Sequence, residues 1–114
     1  MHTFNSKLKS KIKKQKNCLC VGLDISPETL DTTDLDELKA HTYRVIDSTR
    51  DFALAYKPNF AFFERWGFEG FKWLEQTVDY IGPDYIKIAD AKRGDIGNTA
   101  KQYAKSIFEC FKFD

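Results

Sequence analysis

Asp90-Ala91-Lys92-Arg93-Gly94-Asp95-Ile96-Gly97-Asn98-Thr99-Ala100 follows directly on Tyr85-Ile86-Lys87-Ile88-Ala89. Residues 85–89 are mostly apolar and β-prone, and they read as a strand. Asp90 and Lys92 are two positions apart, so in an extended chain both side chains turn to the same side. Two carboxylates, Asp90 and Asp95, flank one lysine. Lone buried charges are expensive, so this group belongs at an exposed strand end. An arbitrary Asp, Lys, Asp triplet is ordinarily a surface salt-bridge cluster. The strand in front of this one argues for a site.

The same punctuation recurs upstream. Residues 18–23 run apolar, apart from the permissive Gly22, and end at Asp24. A run of that kind suits a strand of a parallel sheet, covered on both faces. Residues 52–56 form a second candidate strand, ending at Lys57-Pro58 because proline cannot donate to a ladder. The three charged ends, Asp24, Lys57 and Asp90, are separated by 33 and 33 residues. The intervening residues differ, so what repeats is architecture: strand, loop, helix, return. Parallel strands demand such crossovers. The register puts all three charges at one edge, where α/β folds place their sites.

Between the strands, Ser26-Pro27 breaks the chain. Thr33 is the expected N-cap of a helix with Asp34 and Asp36 in its first turn and Leu35, Leu38, Val45 and Ile46 as its stripe. Phe60, Phe62, Phe63 and Trp66 predict a short aromatic helix closed by Gly67, read as core rather than as a base-stacking platform. A further helix begins near Gly70, carries Phe71, Leu74 and Val78, and ends at Gly82-Pro83. Asn98 or Thr99 is placed to cap a last helix, with Ala100, Tyr103, Ala104, Ile107 and Phe108 spaced for packing. Residues 111–113 open a candidate fourth strand.

Ten phenylalanines in 114 residues argue against disorder and for one small packed domain. Residues 1–16 carry six lysines and no acid, which leaves −5 on the remainder of a chain whose net charge is +1. Nucleic acid is therefore not an expected partner of the body, and any such affinity falls to the short basic segment. There, Phe4, Leu8 and Ile12 predict a basic leading helix over 1–16 with one narrow apolar stripe. It packs on the body with its lysines in water; contact with a membrane surface or nucleic acid is the alternative. No run reaches membrane-spanning length and no signal peptide is evident, so no membrane partner is expected and a cytoplasmic chain is. Cys18 and Cys20 share a face of one strand and cannot easily bridge. With only Cys110, His2 and His41 for company, they predict no metal site. Arg93 could hold a phosphate or brace the loop, and bracing is the preferred reading. Gly94 and Gly97 read as turn formers rather than a phosphate cradle.

Cys20-Val21-Gly22-Leu23-Asp24, Tyr56-Lys57-Pro58-Asn59, Ala61-Phe62-Phe63-Glu64 and the long run Asp90 to Ala100 together resemble the orotidine 5'-phosphate decarboxylase family, in its bacterial-type branch. The resemblance covers nearly everything from Cys18 onward. It implies a TIM-type (β/α)8 barrel, a homodimer, no metal and no organic cofactor. It also implies decarboxylation of orotidine 5'-phosphate, a nucleotide substrate, to uridine 5'-phosphate in pyrimidine biosynthesis. Carried over, Asp24 would bind a ribose hydroxyl, and Lys57 would bond the ribose and orient the acid beside it. Asp90 would lie near the substrate carboxylate and hold the lysine. Lys92 would protonate the ring carbon that loses carbon dioxide. Asp95 would serve the neighbouring subunit's pocket across the dimer interface, with Ile96 and Thr99 lining that shared edge and Thr99 near the ribose.

A (β/α)8 barrel takes about 250 residues. The expectation is therefore an incomplete N-terminal part of that α/β barrel, with three to four parallel strands. Residues 1–16 form the leading helix and 17–114 the truncated barrel portion. The later loops that would hold the phosphate lie beyond Asp114, and the piece alone is expected to be inactive. Two other readings stay open: a related phosphosugar lyase or synthase of the same superfamily, and a non-catalytic remnant acting as a binding or interaction fragment. The full length of the Asp90 to Thr99 run favours the decarboxylase.

Overall fold

The computed structural model describes residues 3–114. Met1 and His2, the start of the expected leading helix, lie outside the described residues. The chain builds a three-stranded parallel sheet in the order β1 (Cys20–Leu23), β2 (Ala55–Pro58), β3 (Ile86–Lys87). Each strand is joined to the next through helices, as parallel pairing requires. These are α2 (Pro27–Leu30) and α3 (Leu35–Thr49) in the first crossover, and α4 (Phe60–Glu64) and α5 (Gly67–Ile81) in the second. α1 (Phe4–Gln15) precedes the sheet, and α6 (Gly97–Ala104) follows it, widening into a π-helical stretch over Lys105–Cys110. Overall dimensions of 43 × 40 × 18 Å describe a slab one sheet and one helix layer thick.

Strand alternation decides which face the helices cover. Leu23 and Tyr56 point into the helical layer, where they meet Leu38, Ile46, Phe63, Trp73, Leu74 and Val78. Trp73 is fully buried at the centre and tilts against Phe63, ring centroids 4.3 Å apart. The hydroxyl of Tyr56 reaches the Ile46 carbonyl at 3.2 Å and Thr49 Oγ1 at 2.8 Å, so its polar end is satisfied in the core. Thr42 and Thr77, also buried, donate back to the carbonyls of Leu38 and Trp73. Lys87 is buried within β3, but its ammonium snorkels to the carbonyls of Gly82 and Tyr85. Burial pushes that ammonium below the usual lysine range.

Several sequence expectations need correction. Asp34, not Thr33, caps α3, accepting from Asp36 N at 2.9 Å. Ser26 caps the short helix α2 with Pro27 in its first turn, so Ser26-Pro27 starts an element rather than only ending one. The second strand begins later than residue 52, because Phe52 and Ala53 still donate to the Thr49 carbonyl in the turn after α3. It also runs through Pro58. Proline loses a donor there but keeps its carbonyl, which accepts from Asp90 N at 3.2 Å. α5 starts at Gly67 rather than Gly70; Gly67 has φ +60°, which glycine adopts freely. Neither Asn98 nor Thr99 caps α6. Its cap position is Ile96, with no side-chain cap bond.

α6 buries none of its residues, and Tyr103 and Phe108 stay exposed. Helical spacing creates an apolar stripe, but burial needs a second surface, and α6 follows the last strand of the sheet. Residues 111–113 form no strand. The edge of β3 is nonetheless engaged: Asp114 N donates to the Lys87 carbonyl, Lys87 N donates to Asp114 Oδ2, and Phe113 is buried. Lys7 of α1 forms an ion pair with the Asp114 carboxylate, and Lys11 reaches the Asp84 carbonyl. The leading helix is thereby tied to this edge while its lysines remain largely in water. Among the described residues, no helix is long and apolar enough to cross a membrane.

Gly70 sets the approach of α5 to α4. A Cβ added there would lie 1.7 Å from the Phe63 carbonyl oxygen, a backbone atom that cannot swing away. Gly70→Ala should therefore destabilise the fold by about 1–3 kcal/mol, as overpacking does. Phe68→Ala, at a side chain that is 80% exposed, should stay within about 0.5 kcal/mol of the parent. Urea denaturation of both variants checks the contrast, and equal midpoints would refute it.

Candidate active site

The register of the sheet brings the charged ends together. Gly22 pairs with Lys57 and Leu23 with Pro58, while Asn59 bridges to Asp90. Asp24, Asn59 and Asp90 therefore follow in line across the carboxyl ends of the three strands. By strand alternation they and Lys57 lie on the face opposite the helical layer. The Asp90 carboxylate is the hub. Its Oδ1 takes Lys92 Nζ at 2.5 Å and its Oδ2 takes Lys57 Nζ at 3.6 Å. The hydrogen bond from Lys92 is the largest influence on Asp90; burial opposes it, but with the positive charges of Lys92 and Lys57 added the carboxyl is held below the ordinary carboxylate range.

Asp90 and Lys92 meet, but not because the chain is extended. Lys92 has φ +52°, in the left-handed region. A non-glycine residue there costs about 1–2 kcal/mol. The Lys92 side chain is 74% exposed, and an exposed ion pair returns only about 0–1 kcal/mol. The pair therefore does not by itself hold the backbone in this shape.

Asp95 is exposed, and its carboxylate accepts from Ile96 N at 2.7 Å. It forms no ion pair with Lys92 among the described residues; within one chain only Asp90 of the two carboxylates reaches the lysine. Ile96 is 84% exposed, and Thr99 is exposed beside it at the start of α6. Asp24 is exposed and accepts from Asn59 Nδ2 at 3.2 Å.

Asn59 is a position to which the sequence reading gives no role. Its Oδ1 accepts from Ala61 N and caps α4, while its Nδ2 steadies Asp24. An asparagine directly before the aromatic helical run was the available signal. Glu64 is a second such position. It forms an ion pair with Arg93, whose guanidinium also donates to the Ala91 carbonyl at 2.6 Å. Nothing local marks that pairing, because its partners come from different crossovers. Arg93 also lies 5.8 Å from the ring centroids of both Phe60 and Tyr103. All three cysteines are free and exposed. Among the described residues, no group of three His, Cys, Asp or Glu side chains gathers as a donor set for a metal ion.

Since the bond from Lys92 is the main cause of the low Asp90 pKa, Lys92→Ala should raise that pKa toward the ordinary value of about 3.9. The sign for stability follows. A carboxyl depressed in the folded state stabilises above its unfolded pKa, and that contribution is lost as pH falls through the folded value. Carboxyl-carbon NMR titration of parent and variant reads the shift directly. An unchanged Asp90 titration would remove Lys92 as the cause.

Residues 17–113 match the family model described as Orotidine 5'-phosphate decarboxylase / HUMPS family. An orotidine 5'-phosphate decarboxylase of Christiangramia forsetii is 42% identical over 116 residues, covering 96% of this chain and 43% of that protein. The enzyme of the same name from Bacteroides fragilis is 47% identical over 111 residues, covering 90% of this chain and 40% of its own length. The solved structure of Leishmania donovani OMP decarboxylase superposes with a TM-score of 0.84 at 35% identity, over 98% of this chain and 42% of that one. The chain thus spans about two fifths of the length of these relatives. A family match from Asn17 to Phe113, with the Asp24, Lys57, Asp90 and Lys92 positions inside it, leads to one conclusion: the chain belongs to the orotidine 5'-phosphate decarboxylase / HUMPS family.

Proposed function

We propose that this chain is the N-terminal part of a bacterial-type orotidine 5'-phosphate decarboxylase, a homodimeric (β/α)8-barrel enzyme of the cytoplasm that releases carbon dioxide to give uridine 5'-phosphate. Residues 17–114 would supply the first three βα units, with residues 1–16 as the leading helix. The observation that carries the proposal is the Asp90 carboxylate held between Lys57 and Lys92 at the carboxyl ends of a parallel sheet. Loss of carbon dioxide from a pyrimidine ring carbon leaves a carbanion with little resonance help. A cation already in position when that charge develops lowers the barrier most.

In this reading Lys92 is that cation and then the general acid, donating its proton to the ring carbon. Asp90 anchors Lys92 and lies beside the substrate carboxylate. Like charges disfavour that arrangement, and expulsion of carbon dioxide relieves it. Lys57 hydrogen-bonds the ribose and orients Asp90, and Asp24 takes a ribose hydroxyl. Asp95, which accepts from Ile96 N rather than pairing with its own Lys92, serves the partner subunit's pocket, with Ile96 and Thr99 along the shared edge. The reaction so described uses neither metal nor organic cofactor. The phosphate of the substrate falls to loops of the complete enzyme.

In the full-length enzyme, Lys92→Ala should abolish turnover while retaining most product binding, because the proton donor is lost and the ribose contacts are kept. Asp95→Ala should also be severe. Mixing the Lys92→Ala and Asp95→Ala proteins should restore activity at one of the two sites of each mixed dimer. Steady-state assays of the singles and the mixture test this. A mixture no more active than either parent variant would refute the shared site. Measurable turnover by residues 1–114 alone would refute the role given to the later loops.

A further inference from the structure

The left-handed backbone at Lys92 needs something to hold it, and the exposed Lys92–Asp90 pair is too weak to do so. Strained residues persist where the surroundings over-determine them. The next residue, Arg93, supplies such surroundings. Its guanidinium donates to the Ala91 carbonyl at 2.6 Å, one residue before Lys92. The same group pairs with Glu64 at the end of α4, and lies near the rings of Phe60 and Tyr103. Ala91 is 8% exposed and belongs to the core. Lys92 is therefore bracketed, with a buried residue before it and a fastened arginine after it.

We propose that the Glu64–Arg93 pair is a positioning clamp, which locks the loop after β3 onto α4 and so fixes Lys92 over Asp90. The Glu64 and Arg93 side chains are partly shielded, 32% and 27% exposed, whereas the Lys92 side chain is 74% exposed. A shielded pair of this kind resists the screening that weakens a surface pair. Arg93 suits the task because its planar fork serves a carbonyl and a carboxylate at once, which a lysine cannot do in the same geometry. The clamp also couples two crossovers. α4 is capped by Asn59, and Asn59 holds Asp24. The start of α4 thus steadies Asp24, and its last residue holds the lysine loop. Arg93 faces Glu64 and is not left free for a substrate phosphate.

The inference rests on the decarboxylase reading for its catalytic consequence, but not for its structural one. The test uses the full-length protein with Glu64→Gln and, separately, Arg93→Lys. Misplacement of Lys92 should lower kcat for orotidine 5'-phosphate by about tenfold to a hundredfold, with KM changed by less than about threefold. Glu64→Asp, which keeps the charge, should recover much of the loss. Backbone order parameters of residues 91–95 should fall from about 0.85 toward 0.6 in the Gln and Lys variants. Unchanged kcat with unchanged order parameters overturns the clamp. A raised KM at constant kcat also overturns it, and would instead make Arg93 a substrate-binding group. A parent protein without decarboxylase activity defeats the functional reading, while the order parameters still decide the clamp. Should one variant fail to fold, the other carries the comparison.

Discussion

Everything at the site depends on the register of β2 with its two neighbours. β2 is the central strand, and the ladder fixes Gly22 opposite Lys57 and Asn59 opposite Asp90. A slip of one residue on either side would turn every side chain of the slipped strand to the other face. Asp24 or Asp90 would then point into the helical layer, where an unpaired charge is expensive. The core therefore enforces the site: Leu23 and Tyr56 are fully buried only in the register that leaves Asp24, Lys57 and Asp90 on the opposite face.

The helical layer secures that register through shape as much as through area. α5 reaches the core because Gly70 lets it approach α4, and Trp73 fills the space between them. α3 and α5 are tied at their carboxyl ends by Arg50, which donates to the carbonyls of Tyr80 and Ile81 and lies 4.9 Å from the Tyr80 ring centroid. Tyr85 closes the same corner by donating to the Arg50 carbonyl at 2.6 Å, just before β3 begins. Packing of the two crossovers is thus transmitted into the position of β3, and with it Asp90.

Magnitudes separate what holds the fold from what arranges the site. Removing a buried aromatic such as Trp73 would cost about 3–5 kcal/mol, whereas ion pairs to solvent-reaching lysines, such as those around Asp90, contribute little. The charged cluster is carried by the fold rather than contributing much to it. Lys92 goes further, since its backbone is unfavourable by more than its ion pair returns.

The order and direction of the strands were legible in the sequence because period, punctuation and spacing are local: apolar runs led to Asp24, Lys57-Pro58 and Asp90 at equal separations, although the first strand starts at Cys20 and the third covers only Ile86–Lys87, with Asp90 joined by a single bridge. The aromatic helix was legible for the same reason. Cap identities at Asp34 and Ile96, and the start of α5 at Gly67, escaped because neighbouring residues compete for the same turn and packing chooses between them. The stripe on α6 was real, but burial is a property of two surfaces, and the stripe is one. The left-handed turn at Lys92 and the pairing of Arg93 with Glu64 were decided only by tertiary structure. A residue two positions from its partner can reach it by more than one backbone path, and a glutamate at the end of α4 has no sequence relation to an arginine beyond β3 until the sheet brings them together.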